Sequence, residues 1–334
     1  MTDSPSSYHA PWWLPGGHAQ TIYSAKLTPH PRVRYRRSRW DTPDGDFVDV
    51  DWVENPQTVN GERPGGTTGS GAPLLVLFHG LEGSSTSPYA HALMAQVLAL
   101  GWRGAVVHFR GCSGEPNRLA RAYHSGDSAE IDWMLRKLKP HAGGPLYATG
   151  VSLGGNALLK WLGEQGHAAA QVVAAAVAVS APLDLMAAGD ALGRGFNLLY
   201  TRAFLRTLKR KSIAKLDAHP RIYDAALVRA ARNLRDFDNV VTAPLHGFSD
   251  TDDYWTRSSS KQWLARIAVP TLLVNARNDP FLPEDALPDA NDVSAAVTRD
   301  FPHEGGHVGF VSGRFPGNLQ WLPRRIIHFL QQSL

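Results

Sequence analysis

The 334-residue chain carries 34 Lys and Arg against 30 Asp and Glu, for a formal net charge of +4, and 43% of its residues are hydrophobic, which excludes disordered, collagenous and coiled-coil chains and permits a sizeable core. Its single cysteine, Cys112, cannot form an internal disulfide, which excludes a disulfide-stapled secreted scaffold and suits a reducing, cytoplasmic compartment. The small basic surplus is too weak for the charged face of a nucleic-acid binder, and no nucleic-acid partner is expected.

The opening MTDSPSSYHAPWW has neither a basic n-region nor an apolar h-region, so no secretory signal is expected. Residues 32–40 alternate Arg32, Arg34 and Arg36 with other residues and read as a half-buried strand with a solvated basic face. A second half-buried strand, FVDVDWV, puts Val48, Val50 and Trp52 on one face and Asp49 and Asp51 on the other. A Gly-rich loop at 61–71 follows by composition. Then strands and helices alternate: LLVLF, a helical pattern over 88–100, GAVVHF at 104–109, a helix over 125–139, and LYATG ending at Gly150. The strands VVAAAVAVS at 172–180 and TLLVNA at 271–276 continue the series, and a helix over 322–330 closes it. Apolar strands separated by helices imply an α/β fold: a mostly parallel central sheet with helices on both faces. The most apolar stretch, 168–183, is broken by Gln171 and Ser180 and is shorter than a bilayer span, so it reads as a buried strand and no transmembrane segment is expected. The alternation is interrupted by a helix-rich stretch, which divides the chain into a first core part at 1–182, a helical insertion at 183–268 and a second core part at 269–334.

In open α/β sheets the sites lie beyond the carboxyl ends of the strands. Gly150-Val151-Ser152-Leu153-Gly154-Gly155 follows a strand and precedes the helical run NALLKWLGEQG, the pattern of a nucleophile elbow, where small residues two before and two after the serine avoid clashes in a strained turn. Ser152 is the candidate nucleophile, and the helix start beneath it favours a developing oxyanion. A serine needs a base held by an acid, here in the chain order Ser, Asp, His. Asp279, in the turn after TLLVNA, and His307, after Gly305 and Gly306, satisfy that order. Asp279 could instead be a turn former before Pro280, and His303 competes for the base. In the turn His79-Gly80-Leu81-Glu82-Gly83 the backbone N–H of Leu81, with that of Leu153, is expected to form the oxyanion hole, while His79 shapes the loop. Cys112 is expected to pack, and His124 and Asp127 to cap or hydrogen-bond; two ligand-type residues do not make a metal site. There is no phosphate loop and no dinucleotide fingerprint, so no cofactor is expected.

These residues resemble the α/β-hydrolase superfamily and, more closely, its YheT-like esterase branch. The resemblance covers nearly the whole chain. It rests on Leu14-Pro15-Gly16-Gly17-His18-Ala19-Gln20-Thr21, His79-Gly80-Leu81-Glu82-Gly83, Phe109-Arg110-Gly111-Cys112-Ser113-Gly114, Tyr123-His124-Ser125-Gly126, the elbow, Asn275-Ala276 with Asp279-Pro280-Phe281, Gly305-Gly306-His307, and the stretch FDNVVTAPLHGFSDTDDYW at 237–255. The resemblance implies the triad Ser152, Asp279 and His307, and hydrolysis of carboxylic esters: short acyl esters for bacterial members, lipid esters for membrane-attached eukaryotic relatives. This chain is expected to lack the amino-terminal anchor of the latter. The expected partner is a small-molecule or lipid-like ester of short to medium acyl chain. Two other readings stay open at this point: a catalytically idle binding or scaffold protein on the same fold, and acyl transfer by the same triad.

Overall fold

The computed structural model describes residues 7–54 and 71–333, so the loop expected at 61–71 lies outside the described residues but for Gly71. Among the described residues one sheet contains β1 (Tyr35–Asp41), β2 (Phe47–Val53), β3 (Leu74–Phe78), β4 (Arg103–Val107), β5 (Leu146–Val151), β6 (Ala175–Val179), β7 (Thr271–Val274) and β8 (Val297–Asp300). Their order across the sheet is β1-β2-β4-β3-β5-β6-β7-β8, with β1–β2 and β2–β4 antiparallel and every other pair parallel.

The apolar strands are unbroken because both faces are covered. Leu74, Val76 and Phe78 of β3 point into a core shared with α3 (Ser128–Leu138) and α4 (Leu153–Gln165); Leu75 and Leu77 point the other way, against α2 (Pro88–Ala99) and α11 (Trp321–Gln332). The expected α/β architecture therefore forms. A helix that carried no apolar signal, α1 (Gly17–Lys26), lies near the amino terminus with Gln20, Thr21 and Ser24 as its buried residues. Strand β8, of sequence VTRD, also lacked a signal, because an edge strand buries one side chain and leaves charges out.

Strand β2 differs from the half-buried expectation: Phe47 to Trp52 are all buried. The antiparallel register sets Arg37 opposite Asp51 and Arg39 opposite Asp49, and each guanidinium binds its carboxylate through two nitrogens at 2.7 to 2.9 Å. The basic residues that matter on β1 are thus Arg37 and Arg39, and they neutralise aspartates that would otherwise be too costly to bury.

Between β6 and β7 come α5 (Leu185–Leu192), α6 (Leu198–Ala218), α7 (Ala225–Ala230), α8 (Leu234–Phe237), a π-helical turn at Asp238–Thr242, α9 (Ala243–His246) and α10 (Thr251–Ser258). They carry a small apolar cluster of their own around Leu205, Val228, Phe237 and Val241.

Candidate active site

At the end of β5 the chain reverses into α4 within one residue. Ser152 has φ +52° and ψ −121°, a conformation that L-residues rarely hold. The tightness of the turn explains its glycines: a Cβ on Gly150 would lie 2.4 Å from the Gly154 carbonyl oxygen, and one on Gly154 would lie 2.5 Å from that of Phe78. The strain thus buys a serine hydroxyl raised above the sheet edge and a helix starting directly beneath it.

His307 Nε2 lies 3.0 Å from Ser152 Oγ, and His307 Nδ1 donates to Asp279 at 2.9 Å. Asp279 is buried, and its carboxylate also accepts the Phe281 N–H at 2.8 Å. The Phe281 ring stacks on the imidazole at 4.0 Å between centroids, which fixes the ring plane. The structure therefore brings Ser152, Asp279 and His307 into one hydrogen-bonded line. His303 is exposed, and Glu284 pairs with Arg277 away from the imidazole.

The turn after β3 faces the elbow, since a Cβ on Gly80 would be 3.1 Å from Ser152 Cβ. His79 is fully buried: Nδ1 donates to the Gly80 carbonyl at 2.7 Å, and Nε2 accepts the Phe109 N–H at 3.1 Å. Burial pushes its pKa down to about 3, so it is a neutral strut that shapes the loop. The Gly80 N–H donates to the Tyr89 hydroxyl and the Glu82 N–H to the Tyr123 hydroxyl, at 3.0 and 2.9 Å. Between them the Leu81 N–H has no hydrogen-bond partner among the described residues. Leu153 opens α4, so its N–H belongs to the first turn, which has no intrahelical acceptor.

A cavity of about 550 Å³ extends from Ser152 and His307 beneath the segment between β6 and β7. Its apolar wall includes Leu185, Leu192, Phe204, Leu208, Phe237 and Val241. On α6, Phe204, Leu208, Lys211 and Lys215 line it at helical spacing, and Lys211 Nζ reaches the Glu82 carboxylate at 2.8 Å. Cys112 borders the cavity, but burial raises its thiol to about 12, and it packs in the core as expected. Asp127 caps α3 by accepting the Glu130 N–H and pairs with Arg121, the local role expected of it. No cluster of three or more metal-ligating side chains occurs among the described residues, and no helix among them is long and apolar enough to cross a membrane.

Sequence reasoning missed three side chains that reach the loop of His307: Gln20, Thr21 and Asn278. Only the resemblance motif at 14–21 marked the first two, because a buried polar face gives no hydrophobic period.

Elbow, facing turn and sheet order together define a hydrolase of the α/β type. The chain matches the family model of the alpha/beta hydrolase fold over residues 73–313, and it belongs to that family. It is 42% identical over 320 residues to a protein of Escherichia coli (strain K12) named "Putative esterase YheT", covering 95% of this chain and 91% of that one, which places it among the YheT-like esterases. Phospholipase ABHD3 of Mus musculus is 28% identical over 331 residues, covering 97% of this chain and 78% of that one. Two solved structures share the fold: Est1E of Butyrivibrio proteoclasticus with ferulic acid bound, at a TM-score of 0.55 and 12% identity, covering 89% of this chain and 99% of that one, and the Pyrococcus furiosus esterase PF2001, at 0.54 and 15%, covering 92% and 98%.

Proposed function

We propose that this hydrolase cleaves carboxylic esters of short to medium acyl chain through an acyl-enzyme on Ser152, with His307 as base and Asp279 as the acid that orients it. The observation that carries the reading is the unbroken line from Ser152 Oγ through both nitrogens of His307 to Asp279, on an elbow whose backbone is strained to present the hydroxyl.

As Ser152 Oγ attacks the ester carbonyl, its proton passes to His307 Nε2, and the carbonyl oxygen becomes an oxyanion held by the N–H groups of Leu81 and Leu153. Asp279 stabilises the imidazolium. Collapse breaks the bond to the alcohol oxygen, which takes the proton from His307 Nε2 and leaves. Water then attacks the acyl-serine, giving one proton to His307; collapse releases the acid and returns that proton to Ser152 Oγ. The helical segment 183–268 acts as a cap. Its apolar wall suits an acyl chain, and about 550 Å³ falls within the range of small-molecule pockets. The names of the relatives, an esterase and a phospholipase, agree with an ester substrate.

A fluorophosphonate probe tests the reading. It should label the wild type at Ser152 and leave Ser152→Ala unlabelled, and Asp279→Asn should slow both labelling and ester turnover severely, by up to roughly ten-thousandfold, the loss that removal of the orienting charge causes in a serine protease. Ester turnover by Ser152→Ala would sink the assignment.

A further inference from the structure

Helix α1 presents no apolar stripe to the protein; it presents Gln20, Thr21 and Ser24. We propose that Gln20 and Thr21, together with Asn278, are positioning residues that hold the base of the triad against its acid, an inference that rests on the serine-hydrolase reading above.

Three consecutive backbone N–H groups precede the imidazole, and each ends on a side chain. Gly305 donates to Gln20 Oε1 at 2.9 Å, Gly306 to Asn278 Oδ1 at 2.9 Å, and His307 to Thr21 Oγ1 at 2.8 Å. The acceptors are themselves oriented. The Thr21 hydroxyl donates to the Gly17 carbonyl at 2.7 Å, which leaves a lone pair for His307. Gln20 Oε1 takes a second hydrogen bond from Asn278 Nδ2 at 3.0 Å, and Gln20 Nε2 is anchored on the Leu14 carbonyl at 3.0 Å. Asn278 immediately precedes Asp279, so the loop of the acid and the loop of the base are fastened to one helix and to each other.

The packing leaves no slack. A Cβ on Gly17 would lie 2.0 Å from the Asn278 carbonyl oxygen. Gly306 takes φ +63°, and a Cβ there would lie 2.7 Å from the Gly17 carbonyl oxygen. Helix and loops touch backbone to backbone, which accounts for Gly17 in the 14–21 motif and for Gly306 in the loop of the base. None of these contacts reaches the sheet, whose strands already stand without them. Their effect is on the height of the imidazole, and so on the 3.0 Å separation of His307 Nε2 from Ser152 Oγ.

The test compares Thr21→Val, which keeps the shape and removes the acceptor, with Thr21→Ser, which restores it, and with Gln20→Met. Each full-length variant is melted to establish that it is folded at the assay temperature, then assayed for p-nitrophenyl acetate turnover and for its rate of labelling by a fluorophosphonate. A displacement of the base by about 1 Å costs roughly a hundredfold, so kcat and labelling rate of Thr21→Val and Gln20→Met should fall by about 10- to 100-fold, KM should stay within about twofold, and Thr21→Ser should keep most of the wild-type rate. Should Thr21→Val not fold, Thr21→Ala removes the same acceptor and is read the same way. Folded variants with wild-type kcat, a loss shared equally by kcat and KM, or a Thr21→Ser as slow as Thr21→Val would each overturn the clamp. A wild type that neither labels nor hydrolyses esters would overturn the serine-hydrolase reading itself, before any variant is compared.

Discussion

Ser152 pays for its exposure in backbone energy. A non-glycine residue held at positive φ costs about 1 to 3 kcal/mol, and here the surrounding contacts impose that conformation: Ser152 N–H donates to the Val179 carbonyl at 2.8 Å, and its own carbonyl accepts the Asn156 N–H at 3.0 Å. Removing the hydroxyl while keeping the Cβ leaves the strain in place; removing the Cβ relieves it, against about 0.5 to 1 kcal/mol of extra chain entropy for glycine. Both Ser152→Ala and Ser152→Gly should lose ester turnover, but Ser152→Gly should melt at the higher temperature of the two. Equal melting temperatures, or a less stable glycine variant, would mean that the turn stores no strain. The serine, its two glycines and Asp279 were legible in the sequence because each sits at a fixed offset from a strand that has its own apolar signature, whereas His307, beyond the unsignalled β8, was legible through the chain order Ser, Asp, His and the paired glycines before it. Gln20 and Thr21 were not, because their partners are backbone groups nearly 290 residues away, and a buried hydrogen bond leaves no periodic trace.

At the scale of elements, α6 shows where periodicity stops informing. The apolar recurrence over 196–208 correctly signals a helix, observed at Leu198–Ala218, yet the same pattern suits two different burials. From sequence, Leu199 and Leu205 are the natural candidates for an acyl-lining wall. In the structure Leu199 is exposed and Leu205 belongs to the small cluster with Val228 and Phe237, while Phe204 and Leu208 line the cavity. A single-residue rotation of the lining face is enough to exchange these roles, since neighbouring positions differ by 100° around a helix. In and beyond the cationic run at 208–211, Lys211 turns inward to Glu82, and Lys215 Nζ hydrogen-bonds to Asn117 Oδ1 and to the Leu119 and Arg121 carbonyls at 2.7 to 3.0 Å. If α6 is the acyl wall, Leu208→Trp should lower kcat/KM for octanoate esters by about tenfold or more relative to acetate esters, the cost of about 1.4 kcal/mol in one end of the pocket. Leu199→Trp should affect neither. A uniform loss across chain lengths in Leu208→Trp would assign the acyl chain to another wall.

Over the whole molecule, the pH dependence of stability is set by groups that the proposed chemistry does not use. Burial lowers His79 to about 3, His124 to about 4 and His246 to about 3, and the last two rings face each other at 4.4 Å. The unfolded chain binds protons at histidine near pH 6.5, so as pH falls below that value it takes up about three protons that the folded state refuses, and stability drops. Two carboxyls act in the opposite direction. Burial raises Asp238 to about 6 and Glu130 to about 7, so below those values the folded state holds protons that the unfolded chain binds only near pH 4, and stability gains. Partial burial lowers His91 and His141 as well, so the histidines outnumber the two carboxyls, and between roughly pH 6 and 4.5 unfolding takes up protons on balance and stability falls as pH falls. Below that window the carboxyl offset ends. Asp46, Asp49 and Asp51 then add to the histidines: burial alone would raise them, but hydrogen bonds led by Asn117, Arg39 and Arg37 hold all three below the ordinary aspartate range, and that stabilisation is lost as pH falls through their folded pKa values. Calorimetry from pH 7 to pH 3 should therefore give a melting temperature that declines gently to about pH 4.5 and steeply below it. His246→Phe removes a ring whose Nε2 is buried without a hydrogen-bond partner among the described residues, and it should flatten the gentle limb without moving the steep one. A melting temperature constant down to pH 4, or a His246→Phe variant whose curve parallels the wild type, would show that these buried imidazoles take up their protons as readily in the folded chain as in the unfolded one.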